Sequence, residues 1–215
     1  MSNIYTHNTY YQDHLDKNGI SLKNHYEIGP LEKQLDINYK DFLQFAEDNR
    51  HRAIIDKEYK PRPFLTDESM RQAVLSQFIG YGAGNTIETN WGIEPEDDAK
   101  LKELVGDANF EKMNLEKETS LVRLLQYNPG HGIPLHTDSY NGFMKRFGPG
   151  NITRYFVAIS PWDWGHFLQV HDNMIHHWNP GYALEIKEGI WHLSGNFGIA
   201  PKYTLTVTGY IKYDT

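Results

Sequence analysis

Residues 121–138 read LVRLLQYNPGHGIPLHTD, and the prediction of the fold starts from them. The apolar run 121–127 is typical of a buried β-strand, and the Asn, Pro and Gly residues after it indicate a turn. A second short strand then ends in His136-Thr137-Asp138. Because side chains two residues apart in a strand point to the same face, we expect His136 and Asp138 to lie side by side. One imidazole and one carboxylate are two of the three ligands of a facial site with two histidines and one carboxylate.

The composition is that of a soluble chain without cysteine. Its 215 residues carry a formal net charge of −7, and 39% of them are hydrophobic, with a mean hydropathy of −0.64. This length predicts a single domain, residues 1–215, that is large enough to bury a core. Disulfides, thiolate nucleophiles and cysteine-held metals are excluded, so any metal would need His, Asp or Glu. The acidic balance disfavours nucleic acid as a partner.

The sequence also bears on location. No run approaches the roughly 18 apolar residues that a membrane span requires, so we expect no contact with a membrane. The first residues, MSNIYTH, lack the basic and apolar regions of a secretory signal. We therefore expect a cytoplasmic protein.

The region before the quoted stretch is predicted to be largely helical. Apolar residues recur every three to four positions over 39–58, and a second helix is predicted from Thr66 to a glycine-rich loop at 80–85. The acidic segment 94–118 predicts two short helices that are separated at Gly106.

The region after it is predicted to be β-rich, so the chain is assigned to the α+β class with mainly β structure. Residues 1–118 would support a core formed by residues 119–215. Short strands at regular spacing favour a sandwich or barrel. The predicted strands are 121–127, 133–138, 152–159, 166–171, 182–187, 190–193 and 203–212.

A third ligand is available further along the chain. His192 lies in a predicted strand 54 positions after Asp138, and Lys202 follows it by ten positions. Tyr127 ends the strand that precedes the His-x-Asp triplet. A cation and a phenol beside a three-ligand metal would suit the distal carboxylate of a dicarboxylate cosubstrate.

Together these motifs resemble the Fe(II)/2-oxoglutarate-dependent dioxygenases, closest in pattern to the prolyl 4-hydroxylase type. The resemblance covers about residues 120–212, and Arg154 opens a strand as it does in that branch. Where those enzymes carry Gly-Gly-x-Thr, this chain has WGHFL at 164–168. The matching segments are Tyr127-Asn128-Pro129-Gly130, His136-Thr137-Asp138, His192 with Lys202, and Asn179-Pro180-Gly181-Tyr182-Ala183-Leu184.

The resemblance implies a double-stranded β-helix, a cupin-like jelly-roll. It implies an oxidoreductase that uses Fe(II), 2-oxoglutarate and O2 to hydroxylate an unactivated C–H bond and releases succinate and CO2. The substrate would be a small molecule, an amino acid or a peptidyl residue. Asp138 implies hydroxylation, because halogenating relatives carry Gly or Ala at that position. The implied metal ligands are His136, Asp138 and His192, and the implied cosubstrate-binding residues are Lys202, Tyr127 and Arg154.

Several residues have other interpretations. Arg154 could instead bind a substrate carboxylate or form a structural ion pair, and Arg123 could point into the mouth of a barrel. His131 could occupy a turn or the rim of a pocket. Three histidines compete with His192, but none is followed ten positions later by Lys or Arg; they are His171, His176 and His177. A second triplet, at residues 14–16, lies in polar sequence and is interpreted as surface.

Alternative functions also stay open at this point. The chain could be a cupin-like metal-binding module without turnover, or a metal-dependent enzyme that does not use 2-oxoglutarate. Lys202 argues against the second, because such an enzyme has no need of a cation at that spacing. Oxidation of a nucleic-acid base is disfavoured by the net charge of −7.

Overall fold

The computed structural model describes residues 28–56, 88–138 and 140–212. These ranges contain four α-helices: α1 Tyr39–Asp48, α2 Pro95–Val105, α3 Asp107–Met113 and α4 Asn141–Phe147. They contain eleven strands: β1 Glu32–Gln34, β2 Ile54–Asp56, β3 Glu88–Trp91, β4 Leu121–Tyr127, β5 His131–His136, β6 Ile152–Ala158, β7 His166–Val170, β8 Asn173–Ile175, β9 Tyr182–Ile186, β10 His192–Asn196 and β11 Lys202–Tyr210. Within the described ranges, no helix has both the length and the apolar character needed to cross a membrane.

The strands form two antiparallel sheets. The larger sheet has seven strands in the order β1-β9-β6-β11-β4-β3-β2, and the smaller has four in the order β5-β10-β7-β8. Strands that are distant in sequence are neighbours in both sheets, as in a jelly-roll. The order places β10 between β5 and β7, and it places β11 at the centre of the larger sheet.

β11 shows how one strand serves two environments. Leu205 and Val207 are fully buried in a cluster that also contains residues of α1, α2 and α3, so this face packs against the helices. Thr206 and Thr208 alternate with them and face a cavity that is shared with the smaller sheet. A second apolar cluster joins the sheets; its members include Phe156, Leu184, Leu168, Val170 and Trp178.

The predicted helix over 39–58 is wrong in its second half. α1 ends at Asp48, and Ile54–Asp56 forms β2, which pairs with β3. Pairing with a strand more than 30 positions later in the chain overrides the local helical periodicity, and a sequence pattern cannot show it. The helix predicted from Thr66 and the loop at 80–85 lie outside the described residues.

The predicted pair of helices over 94–118 is confirmed. α2 has proline at its first position and three acidic residues in its first turn, which suits the positive end of the helix dipole. Gly106 separates it from α3 and has a φ of +77°, a conformation that glycine adopts without steric cost. The region before residue 119 also contributes three strands, β1, β2 and β3, to the larger sheet.

Each predicted strand after residue 120 is present. β4 spans the predicted 121–127, whereas β10 begins two residues later than predicted and runs to Asn196. β8 and α4 were not predicted. α4 lies in the segment that directly follows Asp138, so it forms part of the surroundings of the candidate metal ligands.

Candidate metal centre

Strand pairing brings two histidines together at one edge of the smaller sheet. His136 is the last residue of β5 and His192 is the first residue of β10, and the two are partners in the antiparallel register. Their ring centroids are 4.2 Å apart, with an interplanar angle of 53°. Both side chains are buried. Pairing of β5 with β10 therefore brings together two histidines that are 56 positions apart in the sequence.

Asp138 completes the cluster from two residues beyond His136. Its Oδ1 lies 3.9 Å from His136 Nε2, and its Oδ2 lies 3.5 Å from His192 Nε2. One nitrogen or oxygen from each of the three residues lies within 4.8 Å of the others. Among the described residues this is the one group of three or more histidines and carboxylates arranged in this way. The structure thus brings the three sequence-predicted ligands to one place.

A backbone contact sets the tautomer of His192. Its Nδ1 lies 2.9 Å from the carbonyl oxygen of Ile190. A carbonyl can only accept a hydrogen bond, so Nδ1 carries the proton and Nε2 keeps its lone pair on the side of Asp138. Metal-binding histidines are oriented by the same type of contact.

Arg154 holds the carboxylate of Asp138. Its Nη1 lies 2.6 Å from Asp138 Oδ2, and its Nε donates to Thr208 Oγ1 at 2.8 Å. Burial alone raises the pKa of Asp138, but the positive charge of Arg154 lowers it, and the net pKa is below the ordinary value. Asp138 is therefore ionised at neutral pH. Of the interpretations of Arg154, the ion pair is present; cosubstrate binding by Arg154 stays a prediction.

Lys202 lies in the interior at the start of β11. It is fully buried, and its Nζ donates to Phe167 O and Ser194 Oγ, each at 2.6 Å. Aromatic rings surround the ammonium at 5.2 to 5.6 Å; they belong to Tyr127, Phe156 and Trp178. No carboxylate forms an ion pair with Lys202 in the described part of the chain. Burial holds the pKa of Lys202 well below its ordinary value.

A cavity of about 500 Å³ extends from the His-Asp-His cluster to the residues that contact Lys202. The three candidate ligands line it, and so do Tyr127 and Ser194, the hydroxyl to which Lys202 donates. Arg123, Arg146 and Arg154 also line it. A position of Arg123 in the mouth of the barrel stays a prediction. A cavity of this size can hold a small ligand.

Two hydroxyl residues of this region were missed in the sequence. Ser194 follows His192 by two positions and Thr204 follows Lys202 by two, so each shares a strand face with a predicted site residue. Thr204 is fully buried, and its Oγ1 has no hydrogen-bond partner among the residues described. The signal in the sequence was their spacing of two positions from His192 and from Lys202, which predicts a shared strand face.

The competing histidines lie elsewhere. His176 and His177 are exposed, their Nδ1 atoms are in contact, and His177 stacks on Trp162 at 3.8 Å. His171 directly follows β7, and its Nδ1 lies 3.3 Å from Asp172 Oδ1. None of these joins the cluster at His192.

His131 belongs to the opposite end of β5. It pairs in register with Asn196, away from the His136–His192 pair. Burial lowers the pKa of His131. The triplet at residues 14–16 lies outside the described residues.

Comparison with solved structures finds proteins of the cupin and double-stranded β-helix type. The non-heme alpha ketoglutarate dependent epimerase SnoN from nogalamycin biosynthesis is 10% identical, with a TM-score of 0.51 over 79% of this chain and 71% of that chain. A Klebsiella pneumoniae protein with a double-stranded beta-helix domain is 18% identical, with a TM-score of 0.31 over 43% of this chain and 68% of that one. A cupin protein from Bacteroides fragilis is 14% identical, with a TM-score of 0.31 over 42% and 65%.

The predicted fold class is confirmed: the chain has the double-stranded β-helix fold, a cupin-like jelly-roll. At 10% identity, the likeness to SnoN concerns the fold alone. No protein-family model matches the sequence, and no curated protein does.

Proposed function

We propose that this protein is an Fe(II)- and 2-oxoglutarate-dependent dioxygenase that hydroxylates an unactivated C–H bond of a small molecule, an amino acid or a peptidyl residue. The observation that carries the proposal is Lys202, a buried cation without a carboxylate partner in the described residues, below a cavity that contains a His-Asp-His cluster. A buried cation is costly unless something offsets the loss of hydration, so this position favours a bound carboxylate.

The ligand set fits Fe(II). Two imidazole nitrogens and one carboxylate oxygen can occupy one face of the ion, and the remaining positions stay open for cosubstrate and O2. His136, Asp138 and His192 would hold the metal. With 2-oxoglutarate and O2, the iron supplies the oxidising power that cleaves the C–H bond, while 2-oxoglutarate is converted to succinate and CO2.

The part of the cavity beside Lys202 and Ser194, here called the floor, lies at a distance from the metal ligands that suits 2-oxoglutarate. Ser194 lies two residues along β10 from His192, a strand distance of about 6.7 Å. The two carboxyl carbons of a five-carbon dicarboxylate are about 5 Å apart when the chain is extended. One end could therefore reach the metal ligands while the other accepts hydrogen bonds from Lys202 and Ser194. Tyr127 lines the same cavity, and Thr204 shares the strand face of Lys202, so their hydroxyls would be the nearest further donors.

Other residues would position the metal ligands and exclude water from the cavity. Arg154 fixes the carboxylate of Asp138, so one oxygen stays directed at the cluster between the histidines. The contact between His192 and Ile190 O keeps the imidazole in the binding tautomer. Apolar side chains line the part of the cavity nearest Ser194 and exclude water; they include Ile133, Phe156 and Leu168.

The test is spectroscopic and needs no substrate. Fe(II) and then 2-oxoglutarate are added anaerobically to the metal-free protein, and the visible iron-to-ketoacid charge-transfer band is recorded. We expect the band in the wild type and its loss in His136→Ala. Lys202→Met should require at least tenfold more 2-oxoglutarate, since a charge-assisted contact is worth about 1.5–3 kcal/mol.

The alternatives give different results. Iron binding without a band would favour a metal enzyme of another kind or a cupin-like binding module, and it would refute the proposed function. His176→Ala is the matched control, because His176 is an exposed histidine outside the cluster. That variant should keep both iron binding and the band.

A further inference from the structure

The larger sheet presents an asparagine to the cavity from β3, a strand of the region before residue 119. Asn90 lines the cavity, whereas the next residue, Trp91, is buried in the cluster between this sheet and the helices. The indole nitrogen of Trp91 donates to Asn49 O at 3.0 Å on that side. Because neighbouring side chains in a strand point to opposite faces, the side chain of Asn90 points into the cavity.

The side-chain amide of Asn90 is buried and has no hydrogen-bond partner in the described part of the chain. Asn90 is only 6% exposed. The other two buried asparagines of the described residues use both ends of their amides. In Asn109 and in Asn196, Nδ2 donates to two backbone carbonyls and Oδ1 accepts from a backbone N–H. Those two amides hold the backbone, whereas the amide of Asn90 holds no described part of it.

An unpartnered amide beside a cavity indicates a ligand site, because a buried polar group without a partner is unfavourable. In an empty cavity, water can hydrogen-bond to the amide, and a ligand that displaces this water has to replace those hydrogen bonds. Leu125, the register partner of Asn90 on β4, lines the same cavity. Hydrogen bonds beside such an apolar wall are stronger than in water, so Asn90 can discriminate between ligands.

The two ends of the amide define the group that can satisfy it. Nδ2 can only donate and Oδ1 can only accept, and the two atoms lie side by side in one plane. A carboxylate has no donor for Oδ1, and an ammonium has no acceptor for Nδ2. Either ion would therefore leave half of the amide without a partner, whereas another amide can satisfy both ends.

Asn90 lies beside the proposed cosubstrate site and not within it. It pairs with Leu125 of β4, and Leu125 pairs with Thr204 of β11. Two strand spacings, about 10 Å, therefore separate Asn90 from the strand that carries Lys202. β3 also contacts β5, the strand that ends in His136. A group bound at Asn90 would leave the floor to 2-oxoglutarate and keep the rest of its molecule in the cavity that contains the metal ligands.

We propose, on the basis of the proposed function, that Asn90 binds the substrate through an amide edge whose donor and acceptor lie on the same side. A primary carboxamide and a cyclic amide of the lactam type have such an edge. An open-chain secondary amide in the trans form carries its N–H and its C=O on opposite sides. Nδ2 would donate to the substrate carbonyl, and the substrate N–H would donate to Oδ1. The substrate class is therefore a small molecule with a carboxamide or a lactam, and Asn90 determines its recognition.

The test measures amide binding without turnover. Dissociation constants of acetamide, 2-pyrrolidinone and N-methylacetamide are measured by ligand-observed NMR, with the protein saturated with Mn(II) and 2-oxoglutarate. We expect acetamide or 2-pyrrolidinone to bind at least fivefold more tightly than N-methylacetamide, and about tenfold more weakly in Asn90→Asp and in Asn90→Leu. A preference for acetamide would indicate a carboxamide in the substrate, and a preference for 2-pyrrolidinone would indicate a lactam.

The two variants separate hydrogen bonding from shape. Asn90→Asp keeps the size of the side chain but removes its donor, and Asn151→Asp is the matched control for charge. Asn151 is an exposed asparagine outside the cavity. Equal weakening in Asn151→Asp, unchanged binding in Asn90→Asp, equal binding of all three amides, or no saturable binding in the wild type would overturn the inference. Circular dichroism of each variant confirms that it is folded.

A second measurement needs no ligand. Asn90→Leu removes an amide that holds no described part of the backbone, so the melting temperature of the ligand-free protein should stay the same or rise. Asn109→Leu leaves three backbone groups without their partner, so its melting temperature should fall by about 5 °C or more. A fall in Asn90→Leu as large as in Asn109→Leu would show that the amide of Asn90 is structural and would overturn the inference.

The two proposals can fail separately. If the charge-transfer band forms but amide binding does not depend on Asn90, the amide inference falls and the dioxygenase stands. The same titration on metal-free protein without 2-oxoglutarate tests the reverse case. Amide binding there that depends on Asn90, in a protein that gives no band, would retain the amide site and refute the dioxygenase.

Discussion

At the scale of single residues, Lys202 is the clearest case of a side chain whose burial costs stability. Its ammonium is fully buried, and the contacts that it makes are with neutral oxygens and aromatic rings. Neutral partners offset only part of the loss of hydration. We therefore predict that Lys202→Met raises the free energy of unfolding of the ligand-free protein by about 1–3 kcal/mol, as measured by chemical denaturation. A decrease in that free energy would contradict this account.

Lys202 also leads us to expect that the free energy of unfolding depends on pH. Burial lowers the pKa of Lys202 in the folded state, whereas the unfolded chain titrates near about 10.4. Below a pH of about 10.4, Lys202 binds its proton more tightly in the unfolded chain than in the folded chain. The free-energy cost of burying Lys202 therefore grows as the pH falls towards the folded-state pKa. The advantage of Lys202→Met over the wild type should therefore be larger at pH 7 than near pH 10. Denaturation at both pH values measures it, and equal advantages would refute the predicted shift.

At the scale of elements, two loops meet at the end of the sheets opposite the histidines. Gly165 precedes β7 with a φ of +85°, and a Cβ there would lie 2.1 Å from the backbone nitrogen of Gly198. This contact sets β7 beside the end of β10, where Phe167 O and Gly195 O accept hydrogen bonds from Lys202. The approach of two loop backbones thus helps to form the floor of the cavity.

We predict that Gly165→Ala destabilises the fold by more than about 2 kcal/mol, because it adds a backbone clash to the cost of a positive φ. Gly189 is the matched control: its φ is +80°, but nothing lies within 4 Å of an added Cβ. Gly189→Ala should cost only about 1 kcal/mol. Equilibrium denaturation of both variants makes the comparison, and equal losses would show that the loop contact is unimportant.

Elements also show where sequence patterns succeed. β4 and the helix pair separated at Gly106 were predicted because a short apolar run, an acidic helical segment and a glycine boundary are local signals. The second half of the predicted helix over 39–58 failed because β2 is stabilised by pairing with β3. α4 was missed because NGFMKRF offers little periodicity over seven residues.

At the scale of the whole molecule, metal binding should be coupled to global stability. The candidate ligands belong to the smaller sheet or directly follow it, and Arg154 links Asp138 to the larger sheet. We predict that Mn(II) at about 100 times its dissociation constant adds about 2.7 kcal/mol to the free energy of unfolding. For a chain of this size, the melting temperature should rise by about 5–10 °C.

His136→Ala should remain folded and lose this rise in melting temperature, because one ligand is removed from the smaller sheet. His176→Ala should keep it, because His176 is exposed and outside the cluster. Thermal unfolding with and without Mn(II) provides the measurement. A full metal-induced rise in His136→Ala would place the metal elsewhere.

Local features could be read from the sequence: the strands around the triplet His136-Thr137-Asp138, the absence of cysteine, and the spacing between His192 and Lys202. These depend on neighbouring residues and on composition, so a linear pattern carries them. The folded chain was needed to show that Arg154 binds Asp138 and that Arg123 and Arg146 line one cavity. Such contacts join residues from different strands and a helix. They depend on the strand order, which arises from pairing between segments that are distant in the chain.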